Sequence, residues 1–238
     1  SQVARNLAAM GWDVDVFTRK DNNSLPEVEE WENGVRIIHV PAGPQRYIAK
    51  EQMLPYMADF AHFVQGYILR QPRPYDLIHA NFFMSGMVAM EIKRKLNIPF
   101  VITFHALGRV RRRHQNKNDG FSDERFAIEE QIVAEADRII AECPQDLKDL
   151  TALYAADPAK VSLAPCGFDP DEMWPVDKTA ARKRLLLPVD ERIILQLGRM
   201  VPRKGVDNAI RGLAHLVHKH NLPALLVIVG GDTDIPDP

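Results

Sequence analysis

Apolar and polar residues fall in blocks along this chain, and the blocks switch between two periods. Short, continuously apolar runs predict buried strands at Asp13–Thr18, Val35–Val40, Asp76–Asn81, Pro99–His105, Arg138–Ala141, Val161–Ala164, Arg192–Leu197 and Ala224–Val229. Between them the spacing lengthens to that of an amphipathic helix, over Glu51–Leu69, Gly86–Leu96, Ser122–Ala136, Pro144–Tyr154, Thr179–Leu186 and Asp207–His220. The chain opens inside another helical pattern, with Val3, Leu7 and Met10 on one face. In the Ser122–Ala136 helix, Ser122 reads as the cap, and Arg125, Glu129 and Glu130 read as a polar face.

Strand and helix alternate, and the strands are apolar throughout rather than at every second position. That pattern predicts an α/β fold, with parallel sheets covered by helices on both faces. Ligands in such folds bind beyond the carboxyl ends of the strands. His105, Gly167 and Arg199 each follow a strand, which makes them candidates. A break in composition at Pro170, Trp174 and Pro175 suggests a domain change. The expected organisation is a Rossmann-like domain over 1–169, an interdomain segment over 170–189, and the beginning of a second Rossmann-like domain over 190–238. No strand precedes the opening helix, and the second sheet has two strands, so the chain reads as a fragment at both ends.

Composition narrows the function classes. Of the 238 residues, 46% are apolar, enough for a core, and the formal net charge of -2 argues against a general nucleic-acid binder. Any basic site must be local. The two cysteines, Cys143 and Cys166, match no zinc spacing and imply no disulfide framework. Cys166 reads as a small buried side chain, and reduced thiols fit a cytoplasmic protein. No apolar run approaches the ~20 residues that span a bilayer, and Arg5 and Asn6 interrupt any leader-like segment near the start. Peripheral contact with a membrane stays open.

The most informative stretch is Leu195–Ile210. A strand ends at Gly198, a basic loop follows, and Gly205 with Asp207 opens a helix. A helix start presents backbone N–H groups and positive potential at one point, and Arg199, Arg203 and Lys204 add fixed charge there. A diphosphate suits such a place; a solvated basic turn with a glycine cap is the alternative. The stretch is neither a P-loop nor a dinucleotide fingerprint. A second basic stretch, Arg109, Arg111, Arg112, Arg113 and His114, follows His105 and reads as a loop. Its charges repel one another unless an anion is present: an anionic acceptor or a lipid headgroup would relieve them, as would plain solvent. Asp13 and Asp15 form an Asp-x-Asp pair, but they begin a strand and are read as solvent-facing. His79 is read as structural.

Three segments, Thr103–Gly108 (TFHALG), Val161–Asp169 (VSLAPCGFD) and Leu195–Asp207, stand in an order that resembles the retaining family-4 glycosyltransferases of GT-B architecture. The sucrose-phosphate-synthase and sucrose-synthase-like branch is the nearest flavour, and the resemblance runs along nearly the whole chain. It implies two Rossmann-like domains facing across a cleft, with a nucleotide-diphosphate sugar, UDP-glucose in that branch, as donor and a sugar or sugar phosphate as acceptor. It places Arg199 and Lys204 on the diphosphate, with Gly198 and Arg203 beside them. It puts His105 near the transferred sugar, Gly167 by the cleft, and Arg111, with Arg109 nearby, on the acceptor's phosphate. Where the family often has Asn, this chain has Cys166. Charge from Arg199 and Lys204 takes the place of a metal, so neither metal nor cofactor is expected. The family's Gly-rich loop would precede residue 1 and its paired glutamates would follow Pro238, which implies that this segment alone does not turn over. Two other readings remain open: a sugar-nucleotide epimerase or hydrolase of the same shape, and a non-catalytic nucleotide-binding module.

Overall fold

The computed structural model describes residues 2–115, 120–200 and 204–230. A helix, Gln2–Ala9 (α1), leads into strands Val14–Arg19 (β1), Val28–Glu32 (β2) and Val35–Val40 (β3). β1 runs parallel to β3, with Val14 opposite Val35, and β2 joins the far side of β3 antiparallel. β2 is missing from the strands expected above. Its sequence, VEEWE, is largely exposed at a sheet edge, so backbone pairing rather than an apolar run makes it a strand.

Asp15 corrects a second expectation. Its side chain is 6% exposed and accepts from Arg36 Nε at 2.7 Å and Nη2 at 2.6 Å, and from the Tyr75 hydroxyl. The reason is register: Arg36 lies directly opposite Asp15 across the β1–β3 pair, so a strand start here faces a partner, not water.

Two single helical turns, Lys50–Gln52 and Leu54–Tyr56, precede helix Met57–Arg70 (α2), so the long helix begins later than its apolar spacing suggested. Pro55 sits in the second turn. Then follow Ile78–Asn81 (β4), Phe82–Leu96 (α3), Phe100–Thr103 (β5), Gly108–Gln115 (α4), Glu124–Glu135 (α5), Arg138–Ala141 (β6), Pro144–Tyr154 (α6) and Val161–Leu163 (β7). The four strands β4-β5-β6-β7 form one sheet, every neighbouring pair parallel. All four carboxyl ends therefore lie on one edge. α5 starts after Asp123, with no side-chain cap, rather than at a Ser122 cap.

Two apolar clusters hold these elements together. Phe83, Phe100, Ile102, Ile132, Ile139 and Leu150 join α3, β5, α5, β6 and α6. Val40, Ala61, Val64 and Ile92 join β3, α2 and α3. α3 feeds both, so it is buried on two sides; each fully buried Phe or Ile is worth about 1.5–3 kcal/mol. α3 ends on Asn97 in the left-handed conformation, and Lys93, Arg94 and Lys95 in its last turn oppose the helix dipole.

The chain divides into two compact units, Ser1–Asp169 and Pro170–Pro238. The second holds Lys178–Arg184 (α7), Ile193–Leu197 (β8), Val206–His220 (α8) and Leu225–Val229 (β9), with β8 parallel to β9 and Ile193 opposite Leu225. α7 falls inside the segment read as interdomain. Asp177 caps it, accepting from Ala180 N at 2.8 Å. Among the described residues, no helix is long and apolar enough to cross a membrane.

Asp137, just before β6, ties that strand to β5 and to helix α3. It accepts from the Phe100 amide at 2.9 Å and from Lys93 Nζ at 2.8 Å. Partial burial pulls its pKa up, but the Lys93 and Phe100 hydrogen bonds outweigh it and hold the carboxyl below the usual aspartate range. A lowered native pKa stabilises the fold above the unfolded-state value, and the benefit is lost as pH falls through the native one. Asp137→Asn is expected to cost about 1 kcal/mol at neutral pH, an allowance that includes screening of the exposed part of the group. Thermal melting checks it: the loss should shrink as pH falls below the ordinary aspartate range and the wild-type carboxyl itself takes up a proton.

Candidate active site

β4, β5, β6 and β7 each deliver one side chain to the shared carboxyl edge: Asn81, His105, Glu142 and Cys166. His105 leaves β5 with φ at +58, a left-handed conformation unusual outside glycine. Its ring stands between two neighbours. Nδ1 lies 2.9 Å from Glu142 Oε1, and Nε2 lies 2.9 Å from Asn81 Oδ1. The Asn81 amide nitrogen faces the His79 carbonyl at 3.5 Å, which leaves its oxygen for His105. A protonated ring donates to both neighbours; a neutral one satisfies Glu142 through Nδ1–H. About half of the His105 side chain, 48%, stays exposed.

Local rules bend at this edge. Asn81 is the cap residue of α3, yet its side chain makes no capping bond. It is spent on His105 instead. The next residue, Phe82, has φ at +75. Departures of this kind gather where function constrains the backbone. Glu142 is steadied from behind: Asp146 accepts from the Glu142 amide at 3.1 Å and the Cys143 amide at 3.2 Å. His79 bonds Thr103 Oγ1 at 2.9 Å across the β4–β5 pair; burial, then the nearby His105, lowers its pKa, so it stays a neutral structural ring.

Cys166 is exposed, not buried as expected, because β7 ends before it and the chain turns outward. Its thiol donates to Glu142 Oε1 at 3.0 Å. That hydrogen bond, then the charge of Glu142, pushes the thiol above its ordinary pKa. Gly167 beside it is open, with nothing within 4 Å of where a Cβ would stand.

The basic stretch after His105 is a helix, α4, and three of its arginines face carboxylates. Arg109 pairs with Glu130, donates to the Leu153 carbonyl at 2.8 Å and lies over Tyr154. Arg111 is 3.6 Å from Glu51 and lies over Phe121. Arg112 pairs with Asp123 at 2.5 Å. For these three arginines mutual repulsion does not require an anion, because Glu130, Glu51 and Asp123 offset their charge. Arg125 and Glu129, read as part of a polar face, are 1% and 0% exposed and bonded at 2.7 Å. Their face of α5 turns inward because α4 packs over it.

In the second unit, β8 ends at Leu197, and Gly198 donates to the Val229 carbonyl at 2.9 Å. The backbones are so close that a Cβ on Gly230 would stand 1.8 Å from the Gly198 oxygen. Arg199 follows, exposed. Gln196 Nε2 donates to the Lys204 carbonyl at 3.2 Å, tying the far end of the loop back to β8. Gly205, with φ at +68, then opens α8. Lys204 thus directly precedes the helix start, and Arg199 follows β8; both side chains are exposed. Arg203 lies outside the described residues. Among the described residues, no group of three or more His, Cys, Asp or Glu side chains is placed to hold a metal ion.

Comparison with known proteins gives the family. The model for the glycosyl transferase 4-like domain matches residues 1–167, and that for glycosyl transferases group 1 matches residues 177–235. The chain belongs to the glycosyl transferase 4-like family. Among curated relatives of this glycosyltransferase chain, the D-inositol 3-phosphate glycosyltransferase of Acidothermus cellulolyticus is 34% identical over 238 residues, covering 97% of the chain and 53% of the relative. The enzyme of that name from Actinosynnema mirum is 36% identical over 235 residues, covering 97% and 56%. The chain therefore spans about half the length of the curated relatives it matches. Among solved structures, sucrose-phosphate synthase from Thermosynechococcus elongatus superposes with a TM-score of 0.76 at 29% identity, over 96% of this chain and 63% of that one. The catalytic domain of starch synthase IV from Arabidopsis thaliana, at 12% identity and a TM-score of 0.63 over 96% of this chain and 63% of that one, shares the fold. The fold class is α/β of the Rossmann-like GT-B type.

Sequence reading singled out His105, Arg199 and Lys204 as candidates and did not single out Asn81 or Glu142, which the structure brings to the His105 ring. Their signal was position: each directly follows or ends a strand of the sheet that carries His105.

The Cys166–Glu142 bond gives a pH test in this glycosyltransferase chain. With the thiol pKa raised, alkylation by iodoacetamide should accelerate only at higher pH than for a free thiol. Glu142→Gln, in a background where Cys143 is replaced by Ser, should move that rate profile to lower pH. An unchanged profile would mean that the contact does not exist in solution.

Proposed function

We propose that this chain is the acceptor-side domain and the opening of the donor-side domain of a retaining glycosyltransferase, which moves a hexosyl unit from a nucleoside-diphosphate sugar to an acceptor hydroxyl. Residues 1–169 form the acceptor side, 170–189 the connection, and 190–238 the start of the donor side. The observation that carries the reading is the pair of family matches, the glycosyl transferase 4-like domain over residues 1–167 and glycosyl transferases group 1 over 177–235; on it we assign the diphosphate to Arg199, which follows β8, and Lys204, which precedes the α8 start. As the bond from the anomeric carbon to the diphosphate oxygen breaks, its electron pair leaves with the diphosphate. Fixed cations there stabilise charge that grows in the transition state, so they accelerate the reaction rather than merely bind donor. The acceptor oxygen attacks the face that the diphosphate leaves, and its proton passes to a diphosphate oxygen. His105, held by Asn81 and Glu142, meets the transferred sugar, with the open backbone at Gly167 beside it.

The acceptor we assign is phosphorylated. The names of the curated relatives, which specify an inositol phosphate, and of the solved sucrose-phosphate synthase support that class. Arg111 is the residue we place on the phosphate; Arg109 is turned toward Glu130 and Tyr154 and holds α4 in place.

The test uses a complete polypeptide that carries this chain, with UDP-glucose as first donor and inositol 3-phosphate or fructose 6-phosphate as acceptor. Arg199→Ala and Lys204→Ala should each lower kcat by about 100–1000-fold. Full turnover in both variants, or sugar release that ignores the acceptor, would overturn the proposal. Arg111→Ala should raise KM for the phosphorylated acceptor and leave KM for the donor in place; equal effects on both would remove Arg111 from the acceptor site.

A further inference from the structure

Behind the His105 edge lies a polar group with no contact to solvent. Glu129 accepts from Arg125 Nε at 2.7 Å, from the Tyr154 hydroxyl at 2.5 Å, and from the Gly108 amide at 2.9 Å to one oxygen and 3.1 Å to the other. Tyr154 in turn accepts from the Arg109 amide at 2.8 Å. Arg125 Nη2 donates to the Ala106 carbonyl. The guanidinium is stacked 4.9 Å from the ring centroid of Phe82, 4.7 Å from that of Phe83 and 4.8 Å from that of Phe121.

A buried ion pair is a costly way to fill a core, and apolar residues of the same volume often do so at lower free energy. This one is not even fully satisfied: Arg125 Nη1 is buried with no partner among the described residues. What an apolar pair could not do is hold backbone. Arg125, Glu129 and Tyr154 take three polar groups from one short turn, Ala106 C=O, Gly108 N–H and Arg109 N–H, immediately after His105. On its other side Arg125 packs on Phe82, the residue after Asn81. His105 and its ring partner Asn81 are thus each followed in sequence by a residue that Arg125 touches, Ala106 and Phe82. Both also sit beside or within positive-φ backbone, at Phe82 and at His105 itself. Strained conformations of this kind persist only where the surroundings over-determine them.

We propose that the Arg125–Glu129 pair, completed by Tyr154, is a positioning unit for the transfer site: it fixes the 105–109 turn and the Asn81–Phe82 junction so that the His105 ring meets Asn81. Gly108 is part of the device. A Cβ there would stand 2.9 Å from Arg125 Nε and 2.9 Å from Glu129 Oε2, so the turn approaches the pair as closely as it does only because residue 108 has no side chain. The unit acts through His105 and touches no reacting group. Its consequence for turnover rests on the proposed role of His105, whereas its effect on geometry does not.

Two readouts keep these apart. The first is nuclear magnetic resonance of the 238-residue chain, following the His105 ring nitrogens and the Asn81 side-chain amide. Glu129→Gln, Tyr154→Phe and Gly108→Ala should each shift both sets of signals. Ile92→Val, a comparable loss in the other apolar cluster, should lower the melting temperature and move neither. Should Glu129→Gln fail to fold, Gly108→Ala and Tyr154→Phe carry the test. Wild-type His105 and Asn81 signals in the variants that fold would overturn the proposal. The second readout is turnover in the complete polypeptide. Gly108→Ala should lower kcat by about a hundredfold, the scale of a small misplacement at a reacting centre, with donor KM unchanged. If His105→Ala turned over normally while the signals shifted as expected, the positioning unit would stand and the role given to His105 would fall.

Discussion

Glu129 has no exposed surface, and it accepts from a guanidinium, a phenol and a backbone amide at once. Burial raises its carboxyl above the ordinary glutamate range, and the three donors oppose that rise. Such a group is tolerated only when its donors are fixed, and here they come from α5, α6 and the start of α4. Remove any one, and the buried carboxylate loses part of what offsets its desolvation. The turn after β5 inherits its shape from this demand, and the orientation of His105 follows from the turn.

The four parallel strands supply the other half of the geometry. Parallel order places every strand's carboxyl end on one edge, so residues far apart in sequence converge there. Asn81, His105, Glu142 and Cys166 arrive from four different strand ends. Two of them are bought at the expense of local preference: Asn81 forgoes capping its own helix, and His105 adopts a left-handed backbone. A sheet buried on two sides by α2, α3, α5 and α6 is stiff enough to sustain both departures.

Most of the sheet was legible in the sequence because buried parallel strands are written as continuous apolar runs. β2 was not, because an exposed edge strand carries no such run and is defined by its pairing with β3. The arginines of 109–113 read as a loop because their charges mask a helix whose compensation comes from Glu51, Asp123 and Glu130, residues remote in sequence. Arg125 and Glu129 read as a polar face for the same reason: spacing along α5 shows that they share a side, and only packing shows that the side is inward. His105, Arg199 and Lys204 were candidates from motif order, and the structure places His105 at the shared strand edge. Asn81 and Glu142 were not, since an amide or a carboxylate after a strand has no signature until its neighbour is known.

In the second unit the argument is simpler and depends on fewer contacts. Gly198 packs against Gly230, and Gln196 Nε2 donates to the Lys204 carbonyl just before α8. The first unit presents a preformed edge; the second presents charge. The central physical claim concerns the former, that a dry ion pair clamps the turn bearing His105. Amide hydrogen exchange at Gly108 in the wild-type chain tests it most directly. If Glu129 holds that amide as described, Gly108 exchanges only when the first unit unfolds globally, at the rate of core amides such as Ile102 and Ile139. Exchange as fast as that of the exposed Gly120 would contradict the account.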